Sequence, residues 1–208
     1  MKFILLAEGA TEKLAVAGLL KRWLDSQLPK KKVRVEPVPL GGWGNFQKEV
    51  VKRARAHLDG PESDEIIAVI GLLDLYGPTF WPRQCRSANE RHAWGVKHFE
   101  KAVDREKFRM FFAVHETEAW ILSQPEIFPN EVKASIAQLA AKPETVNFDH
   151  PPAKRLSELY NAKTGRSYKK TTDGKSLFQK LNPDIAADKC PRFRALLTEM
   201  LRLAKGHK

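Results

Sequence analysis

Acidic residues stand at or just beyond the ends of three short apolar runs, and this arrangement could bind a divalent metal. Glu8 follows KFILLA, Asp74 follows IIAVIGLL, and Glu116 and Glu118 follow FRMFFAV. Because ligands of parallel sheets bind where the carboxyl ends of the strands converge, we expect these carboxylates to lie close together. Hard cations such as Mg²⁺ prefer oxygen ligands, usually one or two carboxylates with water and a substrate phosphate. The pattern therefore predicts a metal site.

The segment around Glu116 leaves the choice of ligands open. His115 could act as a general base, bind the metal or orient an acid, since imidazole titrates close to neutral pH, and it could equally be a structural histidine. Glu116 and Glu118 point the same way in an extended segment and differently in a helix. Glu118 is slightly favoured as the ligand because it precedes the apolar run AWIL. Any one of these acids alone could instead cap a helix start.

Four strands separated by helices are predicted to bring these residues to one edge. Short runs rich in apolar residues predict strands at 2–7, 32–38, 65–73 and 108–114. Apolar residues at helical spacing predict one helix with an N-cap at Thr11 that ends at Pro29, and two more near 46–58 and 88–104. This alternation predicts an α/β fold with a mostly parallel, four-stranded sheet flanked by helices.

The sequence changes character after about residue 125, where strand signals become few. Helical segments are expected near 130–141, 153–161, 175–181 and 191–204, separated by Pro and Gly. We therefore expect an α/β domain over residues 1–124 and a basic, helical C-terminal extension over residues 125–208, packed on the same domain.

The composition favours a nucleic-acid partner. The 36 Lys and Arg residues exceed the 25 Asp and Glu residues, which gives a net charge of +11 and points to nucleic acid ahead of an anionic membrane. Cys85 and Cys190 lack the spacing of a zinc site or of a disulfide scaffold. The first apolar run, of about six residues, is too short for a signal-peptide core or a membrane span, so a cytoplasmic location is expected.

Basic residues that could contact nucleic acid lie in two segments. In the first, aromatic residues at 76, 80 and 81 could stack on bases beside two arginines, although core packing would explain these aromatics as well. In the C-terminal part, basic and aromatic residues alternate, which suits a groove that contacts phosphates; a solvated face is the alternative. The glycines at 41 and 42 weakly resemble a phosphate-approach loop. The expected nucleic-acid contacts are Arg83, Arg86, Lys154, Arg155, Lys169 and Lys170.

An ordered set of short strings resembles a known family. The strings are AEGATE, the glycine pair at 41–42, DLYGPTFWP, HETEAW, PPAKRL, KTTDGKSL and CPRF. Together they resemble the domain-of-unknown-function 4276 family, a Toprim-like group of bacterial proteins often encoded beside ATPases and suspected in mobile-element defence. Glu8 followed by an Asp at a later strand end also resembles the Toprim metal site of topoisomerases, primases and overcoming-lysogenization-defect nucleases.

The resemblance implies a Toprim-like fold and a phosphodiester site that uses Mg²⁺ or Mn²⁺. Its implied metal ligands are Glu8, Asp74, Glu116 and Glu118. The expected catalytic residues are Glu8, Asp74 and Glu118, together with His115 from its own acid–base chemistry. Toprim enzymes usually carry Asp-x-Asp at the second strand end, whereas Tyr76 stands at the second Asp position here. The expected function is a nuclease acting on DNA or RNA, with an ATPase as partner. The alternatives are a non-catalytic nucleic-acid-binding adaptor with a degenerate site, and a nucleotide phosphohydrolase.

Overall fold

A parallel four-stranded sheet forms the centre of the protein. The computed structural model describes residues 1–9, 15–145 and 150–207. The strands are β1 (Lys2–Ala7), β2 (Arg34–Pro39), β3 (Ile66–Asp74) and β4 (Phe108–Ala113), close to their predicted bounds. They pair in the order β2-β1-β3-β4, and every pair is parallel. The predicted α/β fold with a parallel, helix-flanked sheet is confirmed.

Helices cover both faces of the sheet, which is why β1 and β3 consist entirely of buried residues. Alternate residues of β1 point to opposite faces: Phe3 belongs to one apolar cluster and Ile4 to the other. The longer helices are α1 (Ala17–Gln27), α2 (Trp43–Leu58), α3 (Ala88–Val103), α6 (Pro152–Thr164) and α9 (Pro191–Gly206). The shorter helices are α4 (Glu118–Leu122), α5 (Asn130–Ala137), α7 (Lys175–Lys180) and α8 (Pro183–Lys189).

Several short elements differ from the expectations. Helices α4 and α8 and a π-helical turn at Lys170–Gly174 were not predicted, since such short segments contain too few residues to show a helical period. Helix α3 begins with a capping box in which Ser87 and Glu90 bond to each other's backbone N–H groups. The predicted N-cap at Thr11 lies outside the described residues.

The C-terminal helices share a core with the sheet. The cluster on the face of Phe3 includes residues of α1, α4, α7 and α9, and the rings of Trp120 and Phe193 lie 4.3 Å apart. Arg22 of α1 donates hydrogen bonds to the carbonyls of Phe178 and Leu181. The boundary at residue 124 stays a prediction, but the apolar core extends across it. Within the described ranges, no helix combines the length and the apolar character that a membrane span requires.

Candidate metal centre

Three carboxylates meet at the carboxyl edge of the sheet. Asp74, Glu116 and Glu118 each offer an oxygen, and these oxygens lie within 4.8 Å of one another. Asp74 is the last residue of β3, and its pairing with Ala113 of β4 places the segment after β4 beside it. The backbone N–H of Thr117 donates to Asp74 Oδ1 at 3.0 Å and fixes that segment against the strand end. We call these three residues the acidic cluster.

A tight turn after β4 brings both glutamates to the same place. His115 has a φ of 65°, a left-handed conformation that is uncommon outside glycine. The backbone N–H of Tyr76 donates to the His115 carbonyl at 2.8 Å and holds this turn against the end of β3. Glu116 lies in the turn, and Glu118 is the first residue of α4. The segment is therefore neither a continuous strand nor a continuous helix, so the spacing argument alone could not choose between the two glutamates.

The acidic cluster is buried. Glu118 is 0% exposed, Glu116 8% and Asp74 9%. Taking a carboxylate out of water costs several kcal/mol unless a cation and hydrogen bonds compensate, and neighbouring carboxylates repel one another. The cluster therefore requires positive charge close by.

Lys170 supplies positive charge to the acidic cluster. Its Nζ lies 3.1 Å from Glu116 Oε1 and 3.2 Å from Glu118 Oε2. Burial on its own lowers the pKa of Lys170, but the charges of Glu118, Asp74 and Glu116 outweigh it and raise the pKa. Lys170 was predicted to contact nucleic acid; the structure places its ammonium against the carboxylates.

Glu116 also connects the acidic cluster to the basic helix α6. Its Oε2 accepts a hydrogen bond of 2.7 Å from the N–H of Ala153, in the first turn of that helix. An anion near a helix N-terminus is stabilised by the helix dipole and the free N–H groups there. Lys154 and Arg155 follow directly and are exposed, with Arg155 3.6 Å from Glu158. Two residues predicted to contact nucleic acid therefore lie within one helical turn of the residue that bonds to the acidic cluster.

Glu8 lies at the neighbouring strand end, beyond β1. Among the described residues, the acidic cluster does not include it. Its carbonyl accepts hydrogen bonds from the N–H groups of Gly41 and Gly42, at 3.1 and 2.9 Å. Both glycines have positive φ values, 77° and 93°, which explains their residue type. These N–H groups hold the loop to β1 and are not available to a phosphate, as a phosphate-approach loop would require. The metal role of Glu8 stays a prediction.

His115 lies next to the acidic cluster in sequence but offers no ligand atom within it. Its side chain is buried, and burial lowers its pKa against the weaker opposing charge of Glu116, so the ring is neutral at pH 7. Its predicted catalytic role stays a prediction. Tyr168, one of the aromatic residues expected to alternate with basic residues in a groove, is instead buried, and its hydroxyl has no hydrogen-bond partner among the described residues. Burial and then the charge of Glu118 raise the pKa of this hydroxyl.

The other predicted nucleic-acid contacts lie on the surface. Arg83 and Arg86 are exposed in the loop between β3 and α3. Lys169 is exposed beside Lys170, and its backbone N–H donates to Asp173. Asp173 also makes a two-pronged ion pair with Arg166, at 2.8 and 2.9 Å, which anchors the turn that carries Lys170.

The chain is similar to a known family and to a solved structure. A family model described as "Domain of unknown function (DUF4276)" matches residues 7–201, a range that contains the whole acidic cluster. No curated protein matches the chain. The solved C-terminal region of the Burkholderia pseudomallei OLD protein is similar at 16% identity and a TM-score of 0.48, covering 97% of each chain.

Proposed function

The chain belongs to the family described as Domain of unknown function (DUF4276), and we propose that it is a divalent-metal-dependent nuclease. The observation that carries the proposal is the acidic cluster, in which three buried carboxylates converge to within 4.8 Å at the carboxyl edge of a parallel sheet. Ligands of such sheets bind at this edge. The resemblance of the sequence strings to a Toprim-like group suggests a phosphodiester as the substrate.

The donor set of the acidic cluster suits a hard divalent cation. Asp74, Glu116 and Glu118 present only oxygen ligands, as Mg²⁺ and Mn²⁺ prefer, and we propose Glu8 as a further ligand from the next strand end. When bound, such an ion neutralises charge on a phosphodiester and activates water. Thr117 keeps Asp74 oriented through its backbone N–H, and Ala153 does the same for Glu116. His115, neutral at pH 7, is proposed as a proton acceptor beside the site.

Exposed basic residues provide the surface for the nucleic-acid backbone. Lys154 and Arg155 lie next to the acidic cluster in the chain, because the backbone N–H of the preceding residue, Ala153, donates a hydrogen bond to Glu116. Cationic side chains of this kind bind phosphates without reading sequence. The same role is proposed for Lys169, Arg83 and Arg86, and DNA and RNA both fit it. Action in mobile-element defence with an ATPase partner is proposed from the family resemblance alone.

Cleavage assays with a matched pair of variants test this proposal. Asp74→Asn removes one charge from the acidic cluster, whereas Asp188→Asn makes the same change at a side chain that is 83% exposed on α8. We expect the unmodified protein and Asp188→Asn to cleave DNA or RNA in the presence of Mn²⁺. Cleavage by both proteins should stop when EDTA is added. Asp74→Asn is expected to lose about a hundredfold or more in rate, since charge stabilisation at such sites contributes about 3–4 kcal/mol. Equal activity in all three proteins, or none on any substrate, would refute the nuclease.

A nucleic-acid-binding adaptor is the second candidate, and Lys170 is the observation that favours it. Its ammonium provides the acidic cluster with positive charge without an ion, and Tyr76 occupies the position of the second Toprim Asp. An adaptor would bind nucleic acid with a steep salt dependence and would bind no Mn²⁺ in calorimetry. Mn²⁺ binding that Asp74→Asn abolishes would exclude it.

A further inference from the structure

The loop between β3 and α3 contains a cationic cavity, and we infer that it binds the phosphate of a single nucleotide unit. The cavity has a volume of about 530 Å³, within the range of small-ligand sites. Its lining includes Trp81, Arg83, Arg86 and Arg91 and none of the acids of the acidic cluster. The inference deepens the proposed nuclease function by naming how its substrate is held, but the binding itself requires no metal.

Arg83, Arg86 and Arg91 line one small space, and the positive charge of Arg83 and Arg86 favours an anion there. No described acid lies within ion-pair distance of Arg83 or Arg86. Glu90, the acid of this segment, accepts hydrogen bonds in the capping box with Ser87 and offsets part of this charge, since its carboxylate attracts Arg86. Planar guanidinium groups match the geometry of phosphate oxygens and bind them with paired hydrogen bonds. The charge and its chemistry therefore specify a phosphate more closely than they specify a carboxylate or a neutral ligand.

Hydrogen bonds to backbone carbonyls hold the cavity in its shape. The Nε of Arg91 donates to the Cys85 carbonyl at 3.2 Å, which ties this arginine on α3 to the loop. Within the loop, the Cys85 N–H donates to the Pro82 carbonyl at 2.9 Å. A ligand that enters a site already held in place loses less free energy to ordering the protein.

Trp81 gives the cavity a rigid aromatic wall. Its ring lies 4.5 Å from that of Phe80, 5.6 Å from Phe112 and 5.9 Å from Trp94, so several other rings fix its orientation. Close packing here depends on Gly95, because a Cβ at that position would lie 3.1 Å from the Trp81 ring. An aromatic wall beside arginines suits a base attached to the phosphate, since bases stack on tryptophan and arginine alike.

A volume of about 530 Å³ is large enough for one nucleotide unit. The phosphate could belong to the end of a nucleic-acid strand or to a free nucleotide, and both sources offer the same chemistry. We test both with the full chain in EDTA, following dAMP binding by tryptophan fluorescence and by calorimetry. Deoxyadenosine, which lacks the phosphate, is the paired probe. Oligonucleotides with and without a terminal phosphate identify the source.

A double variant, Arg83→Gln with Arg86→Gln, removes two of the guanidinium groups. Lys48→Gln with Lys52→Gln makes the same change in net charge on the exposed side of α2. We expect dAMP to bind at least about tenfold more weakly to the arginine variant and unchanged to the lysine variant, since the lost hydrogen bonds to the phosphate are charge-assisted. Trp81→Phe should reduce the fluorescence change while calorimetry still detects binding.

Two results would overturn the inference. One is equal binding of dAMP and deoxyadenosine, or no binding of either. The other is an equal loss in the arginine and lysine variants, which would show a general charge effect. Thermal unfolding of each variant verifies that it is folded. Because these titrations contain no metal and repeat in Asp74→Asn, an inactive acidic cluster would leave the result for the cavity unaffected.

Discussion

Replacing Lys170 by Gln is expected to tighten Mn²⁺ binding at the acidic cluster. The Lys170 ammonium contacts Glu116 at 3.1 Å and Glu118 at 3.2 Å. A cation that binds the same carboxylates must compete with these contacts. Glutamine keeps most of the length of lysine but carries no charge, so the competition disappears.

The size of the effect follows from the contacts that the metal must replace. A hydrogen bond to a charged group contributes about 1.5–3 kcal/mol. The Lys170 side chain is 38% exposed, so solvent screening weakens its two contacts, and we count them as one. Since every 1.4 kcal/mol is tenfold in affinity, Mn²⁺ should bind the variant about ten- to a hundredfold more tightly.

The same substitution should make the protein less stable without metal. Breaking a fully buried ion pair by removing one partner costs about 3–5 kcal/mol, because the remaining charge is left uncompensated, and the partial exposure of Lys170 reduces this to about 1–3 kcal/mol. Mn²⁺ binds the folded state and should restore this stability as its concentration rises above the dissociation constant. Stability in EDTA and metal affinity should therefore change in opposite directions.

Mn²⁺ calorimetry and urea unfolding, each with and without EDTA, measure both effects. Lys169→Gln is the matched control, because it removes the same charge from the adjacent exposed side chain. The reasoning is refuted if Lys170→Gln binds Mn²⁺ no more tightly than Lys169→Gln does. It is refuted equally if the two variants have the same stability in EDTA.

Four further substitutions test other parts of the structure. Burial, with a smaller contribution from Arg192, lowers the pKa of His92 to about 4, so stability should fall as pH drops from 6.5 toward 4. His92→Gln should flatten this urea-unfolding profile by about 1–2 kcal/mol after allowance for partial exposure. Gly95→Ala should destabilise the protein by about 1–3 kcal/mol in thermal unfolding, since its Cβ would lie 2.6 Å from the Phe112 ring. Gly18→Ala, with open space around it inside α1, should instead stabilise by about 0.5–1 kcal/mol. Asp173→Asn should cost about 1–2 kcal/mol in urea unfolding, because the turn that carries Lys170 loses its anchor; an unchanged midpoint would contradict that role.

The sheet and its acidic edge could be predicted from the sequence because both follow from local patterns. Apolar runs such as IIAVIGLL have the length and composition of buried strands, and alternation with helices gives parallel pairing. Parallel pairing then places the residue after each strand at the same edge, as found for Asp74 and Glu116. The ordered strings likewise indicated the family that the matching model confirms.

The composition of the acidic cluster could not be predicted in the same way. Glu116 and Glu118 meet because His115 adopts a left-handed conformation, which no spacing rule indicates for a histidine. Lys170 reaches the cluster from a segment far along the chain, and its position depends on tertiary packing. A basic run shows only that charge is present, and the fold decides whether a given lysine faces solvent or a carboxylate.

The cover that α9 provides for one face of the sheet has a consequence for synthesis of the protein on the ribosome. Helices α2 and α3 cover the opposite face and precede β4 in the chain, so that face can be covered as soon as β4 has been synthesised. The face of Phe3 packs against α9, and the ammonium of Lys31, just after α1, donates to the carbonyls of Ala204 and His207. These contacts cannot form until α9 has emerged. During that interval the part of this face that α9 covers presents apolar side chains to water, a state in which chains associate readily or are retained by chaperones.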